Sequence, residues 1–463
     1  MKITPFGAAG TVTGSRFLVQ SGRRKLLVDA GLFQGVKPLR LRNWRPFPVP
    51  PSALDAIVLT HAHLDHSGFL PVLVREGFKG DIWMSPPTRD LLPILLFDAA
   101  RLQEEDARHA GRKGYSRHAS PRPLFTQDDV ERTLPLLRRL DFDSPREVKG
   151  VRVSLHRVGH LLGAAAVHLA DDEGTVLFSG DVGRVGDLLL PAPAQRPEAD
   201  RVVLEGTYGD RSHDRSQTLQ TLAEVVNAGL GRGGTILIPT FAVGRAQTLA
   251  LALYRLRERG GIPDVPMYLN SPMANEASGV HLEHADELRP SREELAAALE
   301  AVQPVTTTDE SRALNRRNEP KIILAGAGML TGGRILHHLE AFGQQATTTL
   351  VLAGYQAEGT RGRRLLEGDR RIRVHGQWLE LRCRVELFDA FSGHGDRDEL
   401  EAWLRSAPIP PLGVSLVHGE PQALERFRQR LDERLQVPIE VAEDGRPLGL
   451  DPWSAAEPLE LGD

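Results

Sequence analysis

Thr60-His61-Ala62-His63-Leu64-Asp65-His66-Ser67-Gly68 is the stretch on which the reading of this chain turns. The apolar run Ala56-Ile57-Val58-Leu59 precedes it and reads as a buried strand. Phe69-Leu70-Pro71-Val72-Leu73-Val74 follows and reads as the start of a helix. Three histidines and an aspartate are thereby confined to one strand-to-helix turn. Imidazole and carboxylate are the ligands that zinc takes when no thiolate is at hand. His61 and His63 alternate as on an extended chain and can face one ion. Asp65 and His66 lie past the bend and can face a second. With 16 histidines in 463 residues, such a density marks a metal site rather than a polar turn.

The composition sets the bounds around that site. A chain of 463 residues has room for two or three domains, and 41% hydrophobic with 25% charged residues predicts a globular, well-cored protein. The net charge of −4 argues neither for nor against a polyanionic partner, because a local basic channel is compatible with it. The single cysteine, Cys383, excludes an intrachain disulfide and a thiolate zinc cluster. Residues 1–7 carry no apolar signal-peptide core, and no run approaches the ~18 apolar residues of a membrane helix. A cytoplasmic protein with no membrane partner is expected.

Acids and histidines recur at the ends of apolar runs. Residues 17–20 and 25–29 flank Ser21-Gly22-Arg23-Arg24 as a hairpin, which leaves Asp29 at a strand tip. Residues 98–130 read as a polar, partly helical excursion. The strand at 151–155 leads into Val158-Gly159-His160-Leu161-Leu162-Gly163, where glycines let backbone approach a ligand closely. His156 and His168 lie in strand-like runs and read as packing or surface residues. The strand at 175–179 ends in Gly180-Asp181, and the one at 201–204 ends in Glu205-Gly206-Thr207.

After residue 210 strands and helices alternate. Strands are predicted at 235–239, 265–269, 321–325 and 348–353, and helices at 244–259 and 334–342, the pattern of an α/β unit with a parallel sheet. The strand-then-ligand style returns with 384–388 before His394 and 414–417 before His418. Residues 210–372 are therefore expected to be an insertion, with 1–209 and 373–463 forming one domain around it.

The ordered set Asp29, His61-x-His63-x-Asp65-His66, His160 and Asp181 resembles the metallo-β-lactamase fold hydrolases. Glu205, His394 and His418, with the α/β insertion between them, resemble the further motifs of the β-CASP branch, the RNA-processing nucleases. The likeness spans nearly the whole chain. It implies an α/β fold, an αββα sandwich with an inserted β-CASP domain that closes a cleft for single-stranded RNA. By the same resemblance His61, His63 and His160 bind a first zinc, Asp65, His66 and His418 a second, and Asp181 bridges them. Asp29 orients a ligand from behind. His394 serves as general acid, with Glu205 holding its ring, and Asp65 belongs to the catalytic set.

Two cations about 3.5–4 Å apart neutralise a phosphodiester and supply hydroxide near pH 7, and His394 can protonate the departing ribose oxygen. Zinc is the metal expected, with manganese as the alternative. The resemblance implies internal cleavage, 5′-to-3′ trimming, or both. The rival readings are a DNA nuclease of the cross-link repair branch, where the position of His418 is usually apolar, and an inactive scaffold subunit, which would have lost ligands. Some relatives carry an N-terminal RNA-binding extension and a long C-terminal domain not seen here. Affinity is then expected from the cleft, from a homodimer or from a partner.

Four residues of the insertion are assigned to substrate. Gly328 and Arg334 belong to Gly326-Ala327-Gly328-Met329-Leu330-Thr331-Gly332-Gly333-Arg334, which joins a strand to a helix and offers free N–H groups to a phosphate or else is a tight turn. Arg245 and Ser271 lie in segments similar to those lining the domain cleft of the family. His337 and His338 lie on the helix after the glycine turn, where core packing or surface exposure is expected of either. Arg361, Arg363, Arg364, Arg370, Arg371 and Arg373 either track phosphates or cover a solvated surface.

Overall fold

The computed structural model describes residues 1–113, 121–213, 217–388 and 391–449. It divides the chain into two compact units. The first comprises residues 1–185, 192–212 and 394–463, and the second residues 186–191 and 213–393.

Two sheets stacked face to face make the first unit. One holds the strands Lys2–Pro5, Phe17–Ser21, Arg24–Val28, Ala56–Val58, Asp81–Met84 and Leu137–Arg139, in that order. The other holds, in spatial order, Ile439–Val441, Gly413–Val417, Arg201–Glu205, Gly174–Phe178, Ala165–Asp171, Val151–Arg157 and Arg146–Val148. The period-2 alternation of strands sorts their side chains. Leu26 and Val28 point to the shared core with Val153, Val167 and Phe178 of the second sheet. Leu27, between them, points the other way, where Val72, Leu73, Leu92 and Leu96 of two helices bury the outer face. The Pro421–Arg434 helix packs on the strands Gly413–Val417 and Ile439–Val441. The resulting layers are helix, sheet, sheet, helix.

In the second unit a parallel sheet runs in the order Gln303–Pro304, Met267–Asn270, Lys321–Gly326, Thr235–Thr240, Thr349–Leu352, Arg384–Leu387. A hairpin of Arg371–Val374 and Gln377–Glu380 stands beside it as a separate two-stranded sheet. The strand expected at 384–388 therefore belongs to the inserted unit. It pairs in parallel with Thr349–Leu352, so the chain leaves this unit at Gly393 and not at residue 372. The polar excursion expected over 98–130 consists of the end of a 28-residue helix, Pro86–Lys113, and the helix Gln127–Thr133. Residues 114–120 of it lie outside the described residues. No described helix is long and apolar enough to cross a membrane.

Candidate metal centre

Every ligand candidate in the first unit sits just beyond the carboxyl end of a strand, and backbone contacts lock these tips together. The turn that carries His63 to Ser67 forms a single helical turn, Leu64–Ser67. Its carbonyls are held by neighbouring loops: Ser15 N donates to Asp65 O, Ala30 N to His66 O and Leu32 N to Leu64 O, at 2.7 to 2.9 Å. Gly31 permits this approach, because a Cβ there would lie 1.6 Å from Asp65 O. Asp29 adopts a left-handed backbone, φ 60°, which aspartate tolerates better than most residues. Its carboxylate accepts from Thr60 N at 2.8 Å and meets His66 Nδ1 at 2.7 Å.

The loops bearing His160 and Asp181 meet at two glycines. Gly183 N donates to Val158 O, and a Cβ on Gly183 would come within 2.1 Å of Gly159. His418 also has a positive φ, 49°. Its N–H donates to Ala8 O at 2.6 Å, while Thr207 Oγ1 lies 3.1 Å from both its Nδ1 and its carbonyl oxygen.

These contacts gather two groups around one carboxylate. His63 Nδ1 lies 3.1 Å from His61 Nε2 and 3.2 Å from His160 Nε2. Asp181 Oδ2 lies 3.6 Å from His61 Nε2 and 3.5 Å from His160 Nε2. On the other side, His66 Nε2 and His418 Nε2 are 3.2 Å apart, and Asp65 Oδ2 is 3.7 Å from His418 Nε2. Asp181 Oδ1 faces this second group, 3.3 Å from His66 Nε2 and 3.5 Å from His418 Nδ1. The two oxygens of Asp181 thus face different trios.

The donor set fits a metal. Nitrogens bound tetrahedrally at 2.0–2.1 Å from zinc are about 3.3 Å apart, close to the nitrogen separations found. Asp181 Oδ1 is buried without a hydrogen-bond donor, and a buried anionic oxygen left so is costly unless a cation meets it. Protonation states agree for His61, His63, Asp65 and Asp181, while His66 favours the charged form and would have to give up a proton to a metal. Burial pushes His61 well down and His63 to about 4, outweighing the pull of Asp181 on each. For Asp65 burial acts upward, but the His418 hydrogen bond and the His66 charge prevail and hold it at about 2. Burial likewise opposes ionisation of Asp181, and His418 and His66 keep its carboxyl well below the usual range. His66 is pushed well up, since Asp181 and Asp29 together overcome its burial. Neutral imidazole and ionised carboxylate are the forms that bind metal.

Beside the trios lies a histidine of a different kind. His394 Nδ1 is 3.1 Å from each oxygen of Glu205, and its Nε2 is 4.0 Å from Asp181 Oδ2. Glu205 is fully buried and also accepts from Val182 N at 2.6 Å. Burial lowers the basicity of His394, but Glu205 first and Asp181 next raise it to about 9. Its turn is held by Gly395 N donating to Val182 O, and by a capping box in which Asp396 caps the Arg397–Leu404 helix. Thr60, Thr207 and Ser15, which lies 3.4 Å from His66 Nε2, are contacts that motif reading passed over. Thr60 and Thr207 each stand next to or two residues after a residue that was singled out.

The four residues assigned to substrate lie in the second unit, all beyond the carboxyl ends of its parallel strands. Ser271 caps the Pro272–Glu283 helix, accepting from Ala274 N, and stands against Gly326. Gly328 abuts Phe241, whose ring a Cβ would approach to 2.9 Å. Arg245 opens the Arg245–Glu258 helix, and a Cβ at Gly354 would lie 4.0 Å from its Nε. The strands ending at Thr240 and Gly326 are parallel neighbours in the sheet. Arg334 departs from expectation. Its Nη1 donates to Asn270 Oδ1 and Val305 O and its Nη2 to Thr306 O, so it braces the domain. The arginine run is similarly engaged. Arg361 donates to Leu330, Thr331 and Arg373 carbonyls, and Arg363 and Arg364 pair with Glu367 and Asp369.

Comparison with known proteins bears on all of this. The metallo-beta-lactamase superfamily model matches residues 9–229, the Beta-Casp domain model 246–365, and a Zn-dependent metallo-hydrolase RNA specificity domain model 378–442. Ribonuclease TTHA0252 of Thermus thermophilus is 38% identical over 92% of this chain and 94% of its own length. Transcription termination factor FttA of Pyrococcus abyssi is 34% identical over 91% of this chain and 67% of its own length. A crystal structure of a protein of unknown function from Enterococcus faecalis V583 shares the fold, with a TM-score of 0.54, 14% identity, and coverage of 96% of this chain and 99% of that one.

Proposed function

We propose, from the premise that this chain belongs to the β-CASP family of metallo-β-lactamase-fold nucleases, that it is a zinc-dependent ribonuclease cutting single-stranded RNA. Internal cleavage is its primary mode and 5′-to-3′ trimming a second. The observation that carries this reading is Asp181, each of whose oxygens faces its own trio of candidate ligands. His61, His63 and His160 would hold one zinc, and Asp65, His66 and His418 another. A pair of bound cations neutralises the phosphodiester and makes water acidic enough to serve as nucleophile near neutral pH.

The rest falls to side chains. Glu205 keeps His394 protonated and fixes its ring through Nδ1, leaving Nε2 to deliver a proton to the departing ribose oxygen. Asp29 holds His66 by Nδ1 so that Nε2 faces His418 and Asp181. Thr60 and Thr207 fix the rings of His61 and His418 in the same manner. Ser271, Gly328, Phe241 and Arg245, at the carboxyl edge of the parallel sheet, supply a surface for the RNA strand.

Metal analysis combined with product mapping on 5′-labelled RNA, and on DNA of the same sequence, tests the reading. Two zinc ions per chain and internal RNA fragments are expected. Fewer than two ions with no cleavage would favour a scaffold, and cleavage of DNA alone a repair nuclease.

A further inference from the structure

A second cluster of metal-ligating side chains lies in the inserted unit. His337 and Glu340 are three residues apart on the Ile335–Phe342 helix and share one face. His375 reaches them from the turn joining Arg371–Val374 to Gln377–Glu380. Its Nδ1 is 2.9 Å from Glu340 Oε1, and His337 Nδ1 is 3.6 Å from Glu340 Oε2. The two imidazoles stack with centroids 4.3 Å apart and planes 28° apart. One candidate ligand atom from each residue falls within 4.8 Å of the others.

We propose that His337, Glu340 and His375 form a divalent transition-metal site that clips the hairpin to the helix, distinct from the centre built on Asp181. Two imidazoles and one glutamate are a donor set that zinc takes with a fourth position left to water. The side chains are 56%, 39% and 42% exposed, so an ion can enter and keep that water. As ion pairs alone these contacts would be worth little at such exposure. The backbone supplies an independent sign. His375 and Gly376 have φ of 45° and 85°, and two consecutive positive values in a two-residue hairpin loop are the conformation that Asn-Gly favours. A histidine in the first place accepts a less favoured backbone and directs its ring at the helix.

The clip would act on a small two-stranded sheet whose Ile372, Val374 and Leu379 already pack into the core of this unit. This pair is tied elsewhere through Arg361, which donates to Arg373 O of the hairpin and to Leu330 O of the glycine-rich turn. A metal on the helix that follows that turn would complete the bracing.

Equilibrium dialysis of the full chain against micromolar free zinc, with metal content measured afterwards, is the test. His375→Asn removes the imidazole while suiting the turn, and His337→Ala removes the other without changing the hairpin's own residues. Each variant should bind one zinc per chain fewer than the parent and cleave RNA at the parent rate. Zinc should slow hydrogen exchange over residues 371–380 in the parent and not in the variants. Equal zinc content in parent and folded variants overturns the site, as does filling only at millimolar zinc.

Discussion

Glu205 presents both carboxylate oxygens to Nδ1 of His394 at 3.1 Å, 189 residues away in sequence, and does so fully buried. The pairing sets the tautomer and the charge of the ring together. His394→Ala should retain metal and lose about 10²–10⁴-fold in cleavage rate, the usual contribution of a positioned proton donor. Glu205→Gln should keep the ring but lower its basicity from about 9. A raised value keeps the acid form to high pH, so losing the carboxylate moves the alkaline limb of the pH–rate profile downward. An unmoved limb would separate the pair from proton delivery.

Among the described residues, His418 is the only ligand candidate contributed by the chain after the insertion. His418→Ala should reduce bound metal by one equivalent while leaving His61, His63 and His160 filled. Metal analysis of the folded variant checks this, and an unchanged content would reassign His418.

The Asp29 carboxylate meets His66 of the second trio and accepts from Thr60, which lies outside both trios. Asp29→Asn keeps a residue type at ease with φ 60° but removes the charge behind the imidazole. Metal affinity should fall by about 10–100-fold, read by competition with a chelator. Full affinity would make Asp29 a turn former only.

His338, adjacent to the exposed His337, is fully buried between Asn270 and Asn315, and its burial with the nearby His337 charge lowers it to about 3. The folded form therefore refuses a proton that the unfolded chain takes near pH 6.5. Stability is unaffected above that pH and falls as pH drops from about 6.5 toward 3, by up to about 1.4 kcal/mol per unit. His281, lowered to about 4 by burial, adds to the slope. His338→Gln should flatten the dependence of the urea midpoint on pH between 6.5 and 4.5 without abolishing it. An identical slope would show that this ring titrates freely.

Residues at strand tips were legible in the sequence because a short apolar run and the polar residue ending it are neighbours in the chain. Asp29, His61, His160, Asp181, Glu205 and His418 are placed at strand ends in this way, while a role for each follows only from the family resemblance. The helical turn at Leu64–Ser67 and the left-handed backbone at His418 were not, since both depend on carbonyls and N–H groups from residues 8, 15, 30 and 32. The end of the insertion was misjudged for a related reason. Residues 384–387 look alike whichever sheet they join, and only the parallel pairing with Thr349–Leu352 decides it. Arg334 shows the limit for charged residues: a cation beside a glycine-rich turn suggests phosphate, while its hydrogen bonds run to Asn270, Val305 and Thr306.

The strand Gly413–Val417 lies alongside Arg201–Glu205, and the histidine after it faces Asp181 and His66. During translation, His61 through Asp181 emerge long before that strand exists. A nascent polypeptide that reaches only Asp181 therefore carries six of the seven ligand candidates, lacking His418, and no His394. The second trio and the Glu205–His394 pair can close only once the whole insertion has been made.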